Sequence, residues 1–247
     1  MKIYIFLVAA AFLSSCQSYF TRKSCESTNW FDYGMKVALE GRRLTGDQWV
    51  NECYKADADV AESDLDRGFK AGMAKYCLPA TVYQIGKDGN FFSEEMCVGN
   101  GLSNLRALHQ KGVLEYCDKA NGYAAGAKGK EYNKICPGEL EKAFLPEFNR
   151  GRRKYLSTVL TQNQNEIRDL ENQSARLQNE LNYKRGVLIG LQARFTPTKP
   201  KEVNPQISRM QNEVNSTEYS LQSVNGKINK LKEQNKKIEI EIVQLGS

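Results

Sequence analysis

The sequence predicts a mainly α fold in two parts: a small disulfide-stapled helical repeat domain, then an antiparallel coiled-coil helical hairpin. Three observations carry this. All seven cysteines of the 247-residue chain fall before residue 137. Within that stretch, a pattern of cysteine, tyrosine and glycine recurs after forty residues. Beyond residue 155 the apolar residues fall into heptads on either side of a proline-rich break. Strand-type alternation is thin throughout. Charged residues at 26% and hydrophobic residues at 40% describe a soluble chain with a modest core. Lys and Arg number 35 against 29 Asp and Glu, a net +6 too small and too scattered to point to nucleic acid. The single histidine, His109, excludes a multi-histidine metal site.

The first element, residues 1–15, reads as a signal peptide. Lys2 supplies a positive start, and Ile3 to Leu13 is an apolar run too short to span a bilayer, which needs about 20 residues. Leu13-Ser14-Ser15-Cys16 then resembles the bacterial lipoprotein signal. Small residues let a peptidase grip an extended backbone, and the thiol of Cys16 is where a diacylglyceryl thioether is made. The alternative is a plain secretory signal with an incidental cysteine. Gln17, in place of Asp, implies sorting to the outer membrane, with the protein lipid-anchored on the periplasmic side. Several acyl chains on one terminus make a stable anchor where a single chain is marginal. Residues 16–24 read as a tether.

Residues 25–155 form the expected disulfide-rich domain. Removing Cys16 leaves Cys25, Cys53, Cys77, Cys97, Cys117 and Cys136. Six cysteines in an exported chain predict three disulfides. No CxxC pair occurs, so a zinc site is disfavoured. The internal repeat (76–99 and 116–138) narrows the pairing. Tyr76-Cys77 leads through Tyr83, Gly86 and Gly89 to Cys97-Val98-Gly99, and Tyr116-Cys117 leads through Tyr123, Gly126 and Gly129 to Cys136-Pro137-Gly138. If each unit closes its own loop, the pairs are Cys77–Cys97 and Cys117–Cys136, leaving Cys25–Cys53. A pattern shifted by one, Cys53 with Cys77 and Cys97 with Cys117, stays open. An aromatic-x-x-glycine step also recurs, as Phe31/Gly34, Phe69/Gly72, Tyr83/Gly86, Tyr123/Gly126 and Phe148/Gly151. Residues three apart share a helix face, so each glycine is a notch that lets another helix come close. Packing is the preferred reading over an aromatic binding groove. Short helices are expected from Asp47 to Tyr54, from Glu62 to Tyr76, and opening at Pro137, where proline suits the first turn.

Residues from about Cys25 to Tyr155 resemble the bacterial lipoprotein family of domain of unknown function 2799. The resemblance rests on Trp30 with Gly34, Gly41-Arg42, Gly68-Phe69-x-x-Gly72 and Tyr76-Cys77-x-Pro79. Its strongest part is Tyr116-Cys117 through Tyr123, Gly126, Gly129 and Tyr132 to Cys136-Pro137, Phe144, Phe148 and Gly151. It covers about half the chain. This chain departs from the family pattern in carrying the Tyr-Cys to Cys unit twice and in having the heptad tail. The resemblance implies class and compartment and adds no mechanism.

Residues 156–247 form the coiled-coil element. Heptad positions read Leu156, Leu160, Asn163, Ile167, Leu170, Ser174, Leu177, Leu181, Lys184, Leu188 and Leu191. After the break they resume at Ile207 and run through Met210, Val214, Thr217, Leu221, Val224, Ile228, Leu231, Asn235, Ile238, Ile242 and Leu245. Sustained 3-4 spacing over this length predicts a coiled coil. Matched arms around a loop at 192–206, which holds Pro197, Pro200 and Pro205, suggest a hairpin, the alternative being a dimer of parallel coils. Facing Leu191 with Ile207 fixes a register in which Asn163 meets Asn235, so each seam amide has a partner.

Other features are read as structural. The basic knot Arg150, Arg152, Arg153 and Lys154 fits a solvated helix face better than a lipid-phosphate contact. The acidic run Asp57, Asp59, Glu62, Asp64 and Asp66 lacks the glycine and terminal Glu of a calcium loop, and suits solvation or a helix N-terminus. His109 has no acid or cysteine at ligand spacing and reads as a surface residue. No catalytic, cofactor-binding or metal motif occurs. Two functional classes remain. One is a structural or adaptor lipoprotein, anchored in the lipid bilayer through acylated Cys16 and meeting an envelope protein through the coiled coil. The other is a ligand-binding or enzymatic repeat domain with the coil as spacer. The first is preferred, because no catalytic constellation is present.

Overall fold

The computed structural model describes residues 19–97, 99, 101–195 and 204–246. The segment read as a signal peptide and Cys16 therefore lie outside the described residues, as does part of the loop between the long helices. The described chain is helical, without strands. The helices are α1 (residues 19–26), α2 (Trp30–Leu39), α3 (Gln48–Lys55), α4 (Glu62–Tyr76), α5 (Pro79–Lys87), α6 (Leu102–Tyr116), α7 (Lys119–Ala127), α8 (Gly138–Arg194) and α9 (Pro205–Gln244). The expected helix at Glu62–Tyr76 is found with those bounds, and Asp47 is the N-cap of α3. One expectation is corrected: residues 19–24 are helix, not tether. Helix α1 carries Cys25 in its last turn, and Cys25 is bonded to Cys53 of α3.

Two compact units result. One holds the residues up to Asn121 together with Glu131–Leu145; the other holds Gly122–Lys130 and the chain from Pro146 onward. Helix α8 runs unbroken through residues 155 and 156. Pro146 lies inside it and, having no N–H, gives up one bond of the helical ladder.

Three disulfides form, Cys25–Cys53, Cys77–Cys97 and Cys117–Cys136. The shifted pairing is therefore not the one adopted. The pairing also exposes a third copy of the repeat. Cys25, Cys77 and Cys117 each stand six residues before an aromatic ring and nine before a glycine: Phe31/Gly34, Tyr83/Gly86 and Tyr123/Gly126. Their disulfide partners Cys53, Cys97 and Cys136 each stand fifteen residues before a second glycine, Gly68, Gly112 or Gly151.

Those six glycines are where helices cross. A Cβ on Gly34 would strike the carbonyl of Leu65, and one on Gly68 would strike that of Phe31. Gly86 faces the His109 carbonyl and Gly112 that of Tyr83; Gly126 faces the Phe148 carbonyl and Gly151 that of Tyr123. In each pair, the glycine of one helix meets the carbonyl three residues before the glycine of the other. The crossing is reciprocal and occurs three times. Without side chains at the crossing, the backbones approach closer than an ordinary helix pair allows.

Each first helix ends on a glycine with positive φ, Gly41 (69°), Gly89 (74°) and Gly129 (81°). Each of these lies under a tyrosine of the partner helix, Tyr76, Tyr116 or Tyr155. A β-carbon would both strain the backbone and overlap the phenol. From crossing glycine to this end, the first copy takes four residues more on both helices: Gly34 to Gly41 and Gly68 to Tyr76. Four residues make about one helical turn. The added turn brings its own notch, Gly72, against Met35 and Ala38.

Around these crossings the cores are small. One gathers Cys25, Trp30, Val50, Cys53, Val60 and Leu65; another gathers Ala38, Tyr76, Val82, Met96, Cys97 and Leu105. Beside the first, the wholly buried carboxylate of Asp47 accepts from the Tyr33 hydroxyl at 2.6 Å, the Arg42 guanidinium at 2.8 Å and the Val50 amide at 3.1 Å. Burial alone would raise this carboxyl, but the three donors override it and hold it below its ordinary value. Burial, reinforced by the same carboxylate, pushes the Tyr33 phenol up to about 12.

Candidate interaction surfaces

Helices α8 and α9 lie antiparallel. Bonds between them pair Glu171 with Lys232 (2.8 Å), Ser174 with Asn225 (2.8 Å) and Arg185 with Glu218 (2.7 Å), one number rising as the other falls. Every heptad position named above is buried or half-buried, whereas most residues between them are exposed. Leu181, Leu188 and Val214 form one buried cluster of the seam, flanked by Ile207, Met210 and Leu221. Lys184, the charged seam residue, bonds Glu180 one turn back at 2.6 Å and Thr217 across the seam at 3.0 Å.

Asn163 Nδ2 donates to Asn235 Oδ1 at 2.8 Å, so the structure brings the two seam amides together in one chain. Asn235 is only 8% exposed. We expect Asn163→Leu to cost about 1–3 kcal/mol, because it strands a buried amide. The double change to leucine should recover that loss. Urea unfolding of the two single variants and the double closes the cycle; zero coupling would mean the amides do not meet in solution.

The exterior of the hairpin is polar, apart from a few large apolar side chains. Tyr183, Ile189 and Tyr219, toward the loop end, are mostly exposed, as are Ile240 and Val243 at the other end. The paired charges Glu171–Lys232 and Arg185–Glu218 are half in solvent and contribute little to stability.

The basic knot is corrected. Arg152 is not a solvated side chain: it is 8% exposed, and its Nε donates to Glu241 at 2.7 Å while Nη1 donates to Gly129 O at 2.5 Å. Arg153 Nη1 donates to Leu245 O. Arg150 pairs with Glu147 at 2.7 Å and lies over the Tyr123 ring. These arginines clamp the end of α9 to α8 and to the turn after α7. The acidic run behaves as read: Glu62 and Asp64 occupy the first turn of α4, and Asp64 and Asp66 pair with Arg67 and Lys70.

His109 is also more than a surface residue. Its backbone carbonyl faces Gly86 at a helix crossing, its Nε2 donates to Asn90 O at 2.9 Å, and its ring lies 5.8 Å from that of Phe92. It borders an open groove of about 470 Å³ with Phe91, Phe92, Glu94 and Arg106. The Arg106 guanidinium holds the Glu94 carboxyl below its usual value. Among the described residues, no cluster of three or more His, Cys, Asp or Glu is placed to hold a metal ion, and no helix is long and apolar enough to cross a membrane.

Sequence reading missed three things. The partner notches Gly68 and Gly112 follow Leu65 and His109, not an aromatic, so the aromatic-glycine step does not find them; the constant spacing from the preceding cysteine does. The Asp47 hub joins residues from three places in the chain. The helical character of residues 19–24 carries little periodic signal.

A relative from Escherichia coli (strain K12), named Uncharacterized protein YfiL, is 29% identical over 122 residues, which are 47% of this chain and 93% of the relative. No solved structure matches the chain. The model of one family, described as Protein of unknown function (DUF2799), matches twice in succession, at residues 29–108 and 100–153, and so takes in the crossing glycines of every repeat. The chain therefore belongs to the DUF2799 family.

Proposed function

We propose that this protein is an outer-membrane lipoprotein, anchored through acylated Cys16 on the periplasmic side, which uses its helical hairpin as a coiled-coil arm for a protein partner. The observation that carries the anchor is the cysteine count. Six of seven cysteines are consumed in disulfides, one pair to each repeat, and the seventh stands at the end of Leu13-Ser14-Ser15-Cys16. Disulfides of this density belong to an oxidising compartment. An adaptor role suits a chain whose polar hairpin exposes Tyr183, Ile189 and Tyr219, because exposed aromatics on a rigid polar element are the side chains that anchor interfaces.

Membrane fractionation tests the anchor. The wild-type protein should sediment with outer membranes and take up labelled palmitate. Cys16→Ser should take up none and appear in the soluble periplasmic fraction. A Cys16→Ser protein that still sediments with outer membrane would overturn the anchoring. For the arm, a photo-crosslinker at Tyr183 or Tyr219 should capture one discrete envelope protein, while one at the seam position Leu181 should not. Equal labelling from all three would refute it.

A further inference from the structure

We propose that the start of α1 is a second membrane contact: Tyr19 and Phe20 dock into the headgroup layer of the bilayer that holds the acyl chains. The inference rests on the acylation of Cys16 and goes beyond it, because acylation by itself does not say which side chains of the folded domain enter the headgroup layer.

Four observations carry it. Tyr19 and Phe20 are 64% and 67% exposed, with their rings packed edge to face 5.8 Å apart. Helical geometry puts Lys23 on the same outward face as the two rings. The opposite face of α1 is tied down, since Cys25 is fully buried and bonded to Cys53. The helix is thus part of the folded unit and cannot trail from it. Finally, only Gln17 and Ser18 separate Cys16 from Tyr19. Three peptide links reach about 11 Å at most.

The consequence is geometric. The headgroup layer on each side of the hydrocarbon core is roughly 5–8 Å deep. A cysteine whose acyl chains lie in that core sits at its edge, so Tyr19 cannot be carried much beyond the headgroups. Tyrosine and phenylalanine rings beside a lysine are what this layer favours: rings at the boundary, ammonium toward lipid phosphate. A protein partner could also cover two exposed rings, but the short reach to the acylated residue places lipid there first.

The test uses full-length protein carrying Phe20→Trp, isolated from membranes. Intact mass establishes acylation of Cys16 before anything else is read. The protein is then placed in vesicles of phosphatidylethanolamine and phosphatidylglycerol, with no other protein present. Relative to the wild type, which supplies the background of Trp30 and Trp49, the introduced indole should lose most of its emission to lipids brominated on their acyl chains and be shielded from aqueous iodide. An indole in acylated protein that iodide quenches as freely as in soluble Cys16→Ser/Phe20→Trp overturns the proposal and leaves the anchor standing. A mass without acyl groups overturns the anchor, and the proposal with it.

Discussion

Reduction of the three disulfides is expected to unfold the repeat region, residues 25–136, under conditions where the oxidised protein is stable. The bonds close loops with sequence separations of 28, 20 and 19. In the chain-entropy model each such loop contributes about 3–4 kcal/mol, roughly 10 kcal/mol for the three. Whole domains are stable by only about 5–15 kcal/mol. The repeats have little to set against that loss, since their cores are clusters of a few buried side chains in which the cystines themselves take part: Cys25, Cys53 and Cys117 are fully buried. Helices α8 and α9 contain no cysteine. Limited proteolysis after treatment with a phosphine reductant should therefore cut within residues 25–136 first, while fragments from the long hairpin survive. A reduced chain that resists protease as well as the oxidised one would show that the glycine crossings alone hold the repeats.

The sequence made the hairpin legible in detail, because one kind of information specifies it. A heptad seam is periodic, and a pair of polar seam residues at Asn163 and Asn235 leaves one register in which both are satisfied. Local signals also place α3, α4 and the start of α8: Asp47 is a capping residue, and Pro137 precedes a first turn. The repeats were harder. Pairing of the cysteines could be read from two copies because their spacings match, but the first copy hid behind an insertion of one turn on both of its helices. The disulfide pairing and the crossing together show that Gly34 and Gly68 correspond to Gly86 and Gly112, each at the same distance from its preceding cysteine. Arg152 and Arg153 misled for a different reason. Four basic residues in five resemble a solvated face, and nothing local reveals that Glu241 and the Leu245 carbonyl, about ninety residues on, come to meet two of them. Buried charge is paired by tertiary structure, which a linear pattern does not carry. The proposed acyl anchor is the reverse case: its motif stands in the sequence, at Leu13 to Cys16, and lies outside the described residues.

Glycine substitutions should separate the two kinds of helix in this chain by the sign of their effect. Alanine is favoured over glycine in a helix interior by about 1 kcal/mol. At Gly186, Gly190 and Gly226 of the hairpin, an added Cβ meets nothing within 4 Å. Alanine there should raise stability by up to about 1 kcal/mol at each site. At Gly68 the same Cβ falls on the carbonyl of Phe31, with the carbonyl carbon at 2.7 Å and Cα at 2.9 Å. These are backbone atoms, so no side chain can turn aside, and α2 and α4 must move apart along their whole contact. Overpacking of this kind typically costs 1–3 kcal/mol, and more where nothing can yield. Gly68→Ala should therefore lose about 2 kcal/mol or more even after the gain in helix propensity. Gly112→Ala and Gly151→Ala should follow it, because Lys87 N and Ala127 N would lie 2.7 and 2.8 Å from their new methyl groups. Urea unfolding midpoints read both series. If alanine at Gly68, Gly112 and Gly151 stabilises as it does at Gly190, the three helix pairs do not approach backbone to backbone, and the reciprocal crossing is wrong in all three repeats. If only Gly68 destabilises, the crossing belongs to the first repeat, and its recurrence in the other two is a likeness of sequence without a likeness of contact.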